Sequence, residues 1–119
     1  MRDHRKLQAF QLADTLATLV YCATRGFPPE EAFGVSSQMR RAAVSAAANI
    51  VEGCARRSDW EYNRFLDISF GSIREVGYFI ELAARLNYVT PGRAIELQTA
   101  QGRAAAALAA LLRIRTSNR

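Results

Sequence analysis

Histidine is almost absent from this chain. The single residue, His4, lies in a charged N-terminal stretch, which excludes a histidine-rich metal site and an ordinary Ser-His-Asp arrangement. Cysteine is scarce too: Cys22 and Cys54 belong to no C-x-x-C or Cys/His cluster, so neither zinc nor a redox pair is indicated, and both are expected to be small buried apolar residues. Glycine-rich phosphate loops are missing, as are the two Glu-x-x-His motifs that a di-metal site in a bundle core needs. No apolar run approaches the ~20 residues that cross a bilayer, and no apolar segment follows the charged Met1 to Lys6 stretch. No membrane partner is therefore expected, and the expected location is cytoplasmic. Together these absences predict a protein that is not an enzyme, with no catalytic residue, no metal and no cofactor.

What is present suits one globular domain over residues 1–119. The chain has a mass of 13.2 kDa, and half of its residues are hydrophobic. Its net charge is +5, and fifteen of the sixteen basic residues are arginine. That excess favours an acidic partner, although a base-composition bias would enrich arginine equally. The charge is segregated: residues 59–89 carry three basic and five acidic residues, whereas residues 90–119 carry five basic and one acidic.

Apolar residues recur at the helical period throughout, and no segment alternates as a strand would. The first helix is expected over about 6–25, through Leu7, Phe10, Ala13, Leu16 and Val20. Gly26-Phe27-Pro28-Pro29 ends it, with Gly26 suited to a left-handed cap. The second is expected over about 36–57, with Ser36 or Ser37 as N-cap and Met39, Ala43, Ala46, Ile50 and Cys54 on its core stripe. Ser58-Asp59-Trp60-Glu61 has the form of a capping box and opens a third helix over about 59–88. Thr90-Pro91 starts the fourth, to about residue 115. Short connections make an all-α, antiparallel up-down-up-down four-helix bundle the simplest assembly.

The third helix carries two adjacent apolar stripes, broader than one seam requires, which predicts a second buried face. Ser69, Gly71, Ser72 and Gly77 on it are expected to mark tight helix contacts, with the alanines at 42, 43, 46, 47 and 48 of the second helix as the facing surface.

On the second helix Gln38, Ala42, Ser45, Asn49, Glu52 and Arg56 share a polar face, which is a ligand or nucleic-acid groove, an interhelical hydrogen-bond network, or solvated surface. Glu52 and Glu75 sit among small and apolar residues, and the expectation is that Arg40, Arg41 or Arg74 pairs with them in structural ion pairs. Arg56, Arg57, Arg64, Arg113 and Arg115 are the candidate nucleic-acid-binding residues; for Arg56-Arg57 a helix-capping role is the alternative. Trp60, Tyr62 and Tyr88 could stack on bases or pack internally. No continuous basic groove can be drawn on one chain, but an oligomer could assemble one.

Several short stretches carry a resemblance. Gly26-Phe27-Pro28, Phe33-Gly34-Val35, Gln38-Met39-Arg40-Arg41-Ala42-Ala43, Asn49-Ile50-Val51-Glu52-Gly53, Arg64-Phe65-Leu66, Gly71-Ser72-Ile73-Arg74-Glu75 and Leu86-Asn87-Tyr88 together resemble the four-helix-bundle family named for open reading frames in intervening sequences of bacterial 23S ribosomal RNA genes. That family is similar to the accessory variability proteins of diversity-generating retroelements, which form pentameric barrels and work with a reverse transcriptase and RNA. The resemblance implies a homopentamer and brings no catalytic activity with it. The expected function is accordingly an oligomeric helical-bundle accessory factor that binds RNA or DNA through arginines. A scaffold for an acidic protein partner is the main alternative, and a small-ligand binder using the Asn49-Glu52 face a third.

Overall fold

The computed structural model describes the backbone of residues 2–117 and the side chains as far as residue 114. A single 3-10 turn at His4–Lys6 leads into α1 (Gln8–Thr24), and a second turn at Pro29–Glu31 precedes α2 (Val35–Cys54); α3 (Asp59–Arg85) and α4 (Pro91–Ser117) complete the chain. The helices pack side by side in the cyclic order α1–α2–α3–α4–α1. Contacts along the seams give their directions. The Arg2 N–H donates to the Cys54 carbonyl at one end of α1–α2, and Arg40 reaches Thr24 at the other. In α2–α3, Gly53 lies against Tyr62 and Phe65, Ala46 meets Ser69 and Ser45 meets Ser72, so residue numbers rise on one helix as they fall on the other. Such antiparallel neighbours are those of a four-helix bundle, with Leu16, Val20, Met39, Ile50, Tyr62, Leu66, Ile73, Ile80, Leu97 and Leu108 filling its centre.

The α2–α3 seam is close because one side of α2 carries almost no bulk. Ala42, Ala43 and Ala46 are buried, and the Ser69 hydroxyl, itself fully buried, donates to the Ala46 carbonyl at 2.6 Å. A β-carbon at Gly53 would stand 3.0 Å from that of Phe65, so glycine is needed for the approach. At Gly77 a β-carbon would meet, at 2.9 Å, the side-chain amide of Gln101 on α4, which donates to the Ile73 carbonyl at 3.0 Å. The expectation of tight contacts fails at two places: Gly71 has nothing within 4 Å of its β-position, and Ala48 is exposed. Cys22 is likewise exposed rather than buried; Cys54 is buried, and desolvation pushes its thiol above the ordinary value.

The caps correct the sequence reading in part. Ser58 Oγ accepts the Glu61 N–H at 3.1 Å and Thr90 Oγ1 accepts that of Arg93 at 3.1 Å, as the N-cap motifs predict. Neither Ser36 nor Ser37 caps α2. The helix starts earlier, at Val35, with Gly34 at the cap position, and the Glu31 carboxylate from the preceding turn accepts the Val35 N–H at 3.3 Å. Any β-carbon at Gly34 would collide with that carboxylate. Gly26 is not left-handed; among the described residues the positive φ belongs to Asn87, at 60°. Asn87 and Tyr88 donate their N–H groups to Ala84 and Ala83, at 3.1 and 2.9 Å, the paired bonds of a Schellman ending of α3. This turn sets the Tyr88 ring 5.3 Å from Phe27 and its hydroxyl 2.6 Å from Glu31, a bond that holds the Tyr88 phenol above its ordinary value.

Asn87 is therefore the position where backbone shape should govern stability. Asn87→Ala is expected to lose about 1 kcal/mol in urea unfolding, because alanine resists the left-handed region, and Asn87→Gly to lose nothing. Equal stability of the alanine variant and the parent would contradict the backbone argument.

Candidate nucleic-acid interface

The antiparallel order brings four basic segments to one end of the bundle: the N-terminal arm, the end of α2, the start of α3 and the end of α4. The arm is strapped over the α2–α3 connection. Beyond its backbone bond to Cys54, Arg2 donates to Asp59 Oδ1 at 2.7 Å, and its guanidinium lies 3.8 Å from the centroid of the Tyr62 ring. Asp3 caps the turn that follows by accepting the Arg5 N–H, and the side-chain hydrogen bond from Arg5 lowers the pKa of the Asp3 carboxyl. The end of α4 joins this cluster because Leu7, Gln8 and Ala9 share a shallow recess with Ala107, Ala110, Leu111 and Ile114.

The arginines of this pole divide by how far the fold uses them. Arg56 is engaged: it forms an i,i+4 ion pair with Glu52, and its guanidinium lies 4.9 Å from the Phe65 centroid. Arg57 lies beyond the helix end, exposed, with no hydrogen bond or ion pair to a described residue. Arg64 is exposed on α3 with its guanidinium 6.0 Å from the Trp60 ring, and Trp60 is itself 69% exposed. Arg113 is exposed near the end of α4, and the side chain of Arg115 lies outside the described residues. Three carboxylates at this end are occupied by Arg2, Arg5 and Arg56 and a fourth, Glu61, accepts from Ser58, while Lys6, Arg57, Arg64 and Arg113 form no ion pair among the described residues and Arg64 lies by the open Trp60 ring. Such a surface can neutralise phosphates and stack on a base. Tyr62 is buried beneath Arg2 and Tyr88 is tied to Glu31, so neither is free for stacking.

The expected structural ion pairs form differently. Arg40 and Arg41 pair with neither Glu52 nor Glu75, and Arg74 has no carboxylate within 4.0 Å among the described residues. Glu52 lies about three turns from the arginine doublet on the same helix and takes Arg56 instead. Arg40 turns toward α1, where its Nε donates to Thr24 Oγ1 at 2.7 Å. Glu52 and Glu75 are both exposed, so neither needs a buried counter-ion. The polar face of α2 makes one interhelical bond, Ser45 Oγ to Ser72 Oγ at 2.9 Å; the Asn49 amide donates back along its own helix to the Ser45 carbonyl at 2.8 Å, and Glu52 takes Arg56. Among the described residues no group of three or more His, Cys, Asp or Glu could hold a metal ion, and no helix is long and apolar enough to cross a membrane.

A family model described as 23S rRNA-intervening sequence protein matches residues 5–110. The chain is also similar to a crystal structure from Bacteroides thetaiotaomicron of a protein with unknown function from the S23 ribosomal protein family. The TM-score is 0.81 at 21% identity, over 88% of this chain and 95% of the other, a likeness of fold. No curated protein matches the chain.

The division between used and unused arginines has a direct consequence for stability. Arg2→Ala is expected to lower the unfolding free energy by about 1 kcal/mol, from the lost ring contact and ion pair. Arg57→Ala and Arg64→Ala are expected to stay within about 0.5 kcal/mol of the parent in the same urea titration.

Proposed function

Since the chain belongs to the family of 23S rRNA-intervening sequence proteins, we propose that it is a non-enzymatic nucleic-acid-binding protein that grips single-stranded RNA with its basic pole. The observation that carries this reading is the set of exposed cations at one end of the bundle, Arg57, Arg64 and Arg113, none in an ion pair among the described residues, with the Arg64 guanidinium 6.0 Å from the exposed indole of Trp60. Arginine offers bidentate contacts to phosphate, and an open indole stacks on any base, so the pole suits a strand without demanding a sequence. A binding role is favoured over a catalytic one because His4 packs edge-on against Phe10, 4.7 Å away, and the carboxylates Asp3, Glu52 and Asp59 are spent on arginines.

The protein acts in this reading as a homo-oligomer, a pentamer by family resemblance, whose copies multiply the pole. Support comes from the outer faces of α2 and α3, where Val44, Val51 and Ile68 are 44%, 36% and 42% exposed and Gly71 leaves room for a close neighbour. A partner reverse transcriptase or another protein would dock on the assembled ring.

Fluorescence anisotropy of labelled single-stranded RNA at two salt concentrations tests the reading, with light scattering for the mass of the assembly. Binding is expected to weaken steeply with salt. Joint replacement of Arg57 and Arg64 by alanine should lower the log–log salt slope by about 1.4, at about 0.7 per phosphate contact on a single strand. Affinity and slope that do not change in that variant would refute the pole as the interface. No RNA binding at low salt, together with capture of an acidic protein that excess unlabelled RNA does not displace, would favour the scaffold reading instead.

A further inference from the structure

At the end of the bundle away from the basic pole, Tyr21, Ala32, Ser37, Arg40, Arg41, Val44 and Ser45 line an open groove of about 480 Å³. That volume lies within the range of small-molecule sites, about 300–1,000 Å³. Neither of its two guanidinium groups has a carboxylate within 4.0 Å among the described residues, and what sets Arg40 apart from the other unpaired arginines is its fixed position. Thr24 Oγ1, fixed by donating to the Val20 carbonyl at 2.8 Å, accepts the Arg40 Nε–H at 2.7 Å, and the guanidinium lies 4.7 Å from the Tyr21 centroid. Its two terminal nitrogens make no hydrogen bond to a described residue. Arg41 follows it on α2, exposed and unpaired.

We propose that this groove binds a phosphate monoester carrying a flat apolar body, the chemistry of a nucleoside monophosphate. One held guanidinium, Arg40, with a second cation, Arg41, on the same groove matches a phosphate monoester, which carries a charge of about −1.5 to −2 at neutral pH, better than a single carboxylate. Ser37 lies in the first turn of α2, where the helix dipole also favours an anion. Tyr21, Ala32 and Val44 supply apolar wall; Arg40 lies over the Tyr21 ring, and Tyr21 and Val44 remain 40% and 44% exposed. The nearby carboxylates do not fill the role of the ligand. Glu31 is used by Val35 and Tyr88, and Glu75 lies in the adjoining recess with Gln38, Arg41 and Ser72 without forming an ion pair. Because Arg40 is already ordered by Thr24 and Tyr21, binding does not have to immobilise it afresh.

The site does not depend on the RNA reading of the opposite pole, and the test keeps the two apart. Isothermal titration of the full chain with adenosine monophosphate, adenosine and inorganic phosphate should show one site per chain for the nucleotide, with the nucleoside and free phosphate bound about tenfold more weakly or less tightly still. Arg41→Gln and Thr24→Val are each expected to weaken the nucleotide by about tenfold or more, while Arg57→Ala/Arg64→Ala leaves it unchanged. Arg41 is exposed, so its variant tests the site without disturbing the core; circular dichroism confirms the fold of both. A 5′-phosphorylated oligonucleotide that binds through Arg41 when the free nucleotide does not would support the same site with a strand terminus as its source. Absence of binding by both ligands at millimolar concentration overturns the proposal. So does nucleotide binding that survives Arg41→Gln and disappears with Arg57→Ala/Arg64→Ala.

Discussion

The close approach of α2 and α3 is the constraint on which the rest of the molecule hangs. A serine hydroxyl reaches a backbone carbonyl of the neighbouring helix at 2.6 Å only if nothing bulky stands between them, and Ala42, Ala43, Ala46 and Gly53 keep that space clear. The seam therefore combines dispersion contacts with satisfied buried polar atoms, which a seam of large side chains could not do at this separation. Small residues on α2 also explain why α3 can be apolar over a wide arc. Leu66, Ile73 and Ile80 reach the centre while Phe70 and Phe79 fill the flanks.

The same seam builds the basic pole. Because α2 ends at Cys54 and α3 begins at Asp59, the connection is short, and the strap of Arg2 across it satisfies the Cys54 carbonyl at the helix end. The fold thus consumes some of its arginines in holding this corner together and leaves the remainder in water. Arg56 and Arg57 are adjacent and both follow the last residue of α2, Cys54, but Arg56 lies over Phe65 with Glu52 as its partner and Arg57 is exposed without an ion pair among the described residues. A charge count cannot separate them, whereas the partners within reach of each do.

Much of the architecture was legible in the sequence because helix-scale signals are local. The apolar period, the Ser58 and Thr90 caps and the Pro91 start each depend on residues a few positions apart, and the structure carries all of them. What sequence missed depends on partners far along the chain. Serine is a good cap, which points to Ser36 or Ser37 as the start of α2, yet the N–H of Val35 is met by Glu31 from the preceding turn, held there by Tyr88, fifty-seven residues distant. Gly26 looked like the left-handed cap because glycine tolerates that region, while Asn87, less permissive, is the residue that adopts it. The ion-pair expectation for Arg40 failed for the same reason: its nearest suitable acceptor is a threonine hydroxyl on α1, invisible until the helices are packed. Of the candidate interface, Arg57, Arg64 and Arg113 were legible as charged and exposed. Their convergence was not, since it follows from antiparallel packing rather than from any stripe on one helix.

The shape of the bundle then decides how its charged regions work together. Its longest extent is 45 Å, several times the screening length of about 8 Å at physiological salt, so charges at one end contribute little to the potential at the other. The pole with Arg57, Arg64 and Arg113 and the groove with Arg40 and Arg41 are therefore separate electrostatic objects, although both draw on the same arginine excess. Each also differs in preorganisation. The pole presents long, exposed side chains without fixed partners, whereas the groove presents one guanidinium already oriented by a buried threonine, so an anion at the groove would meet a preset donor where one at the pole would have to order it.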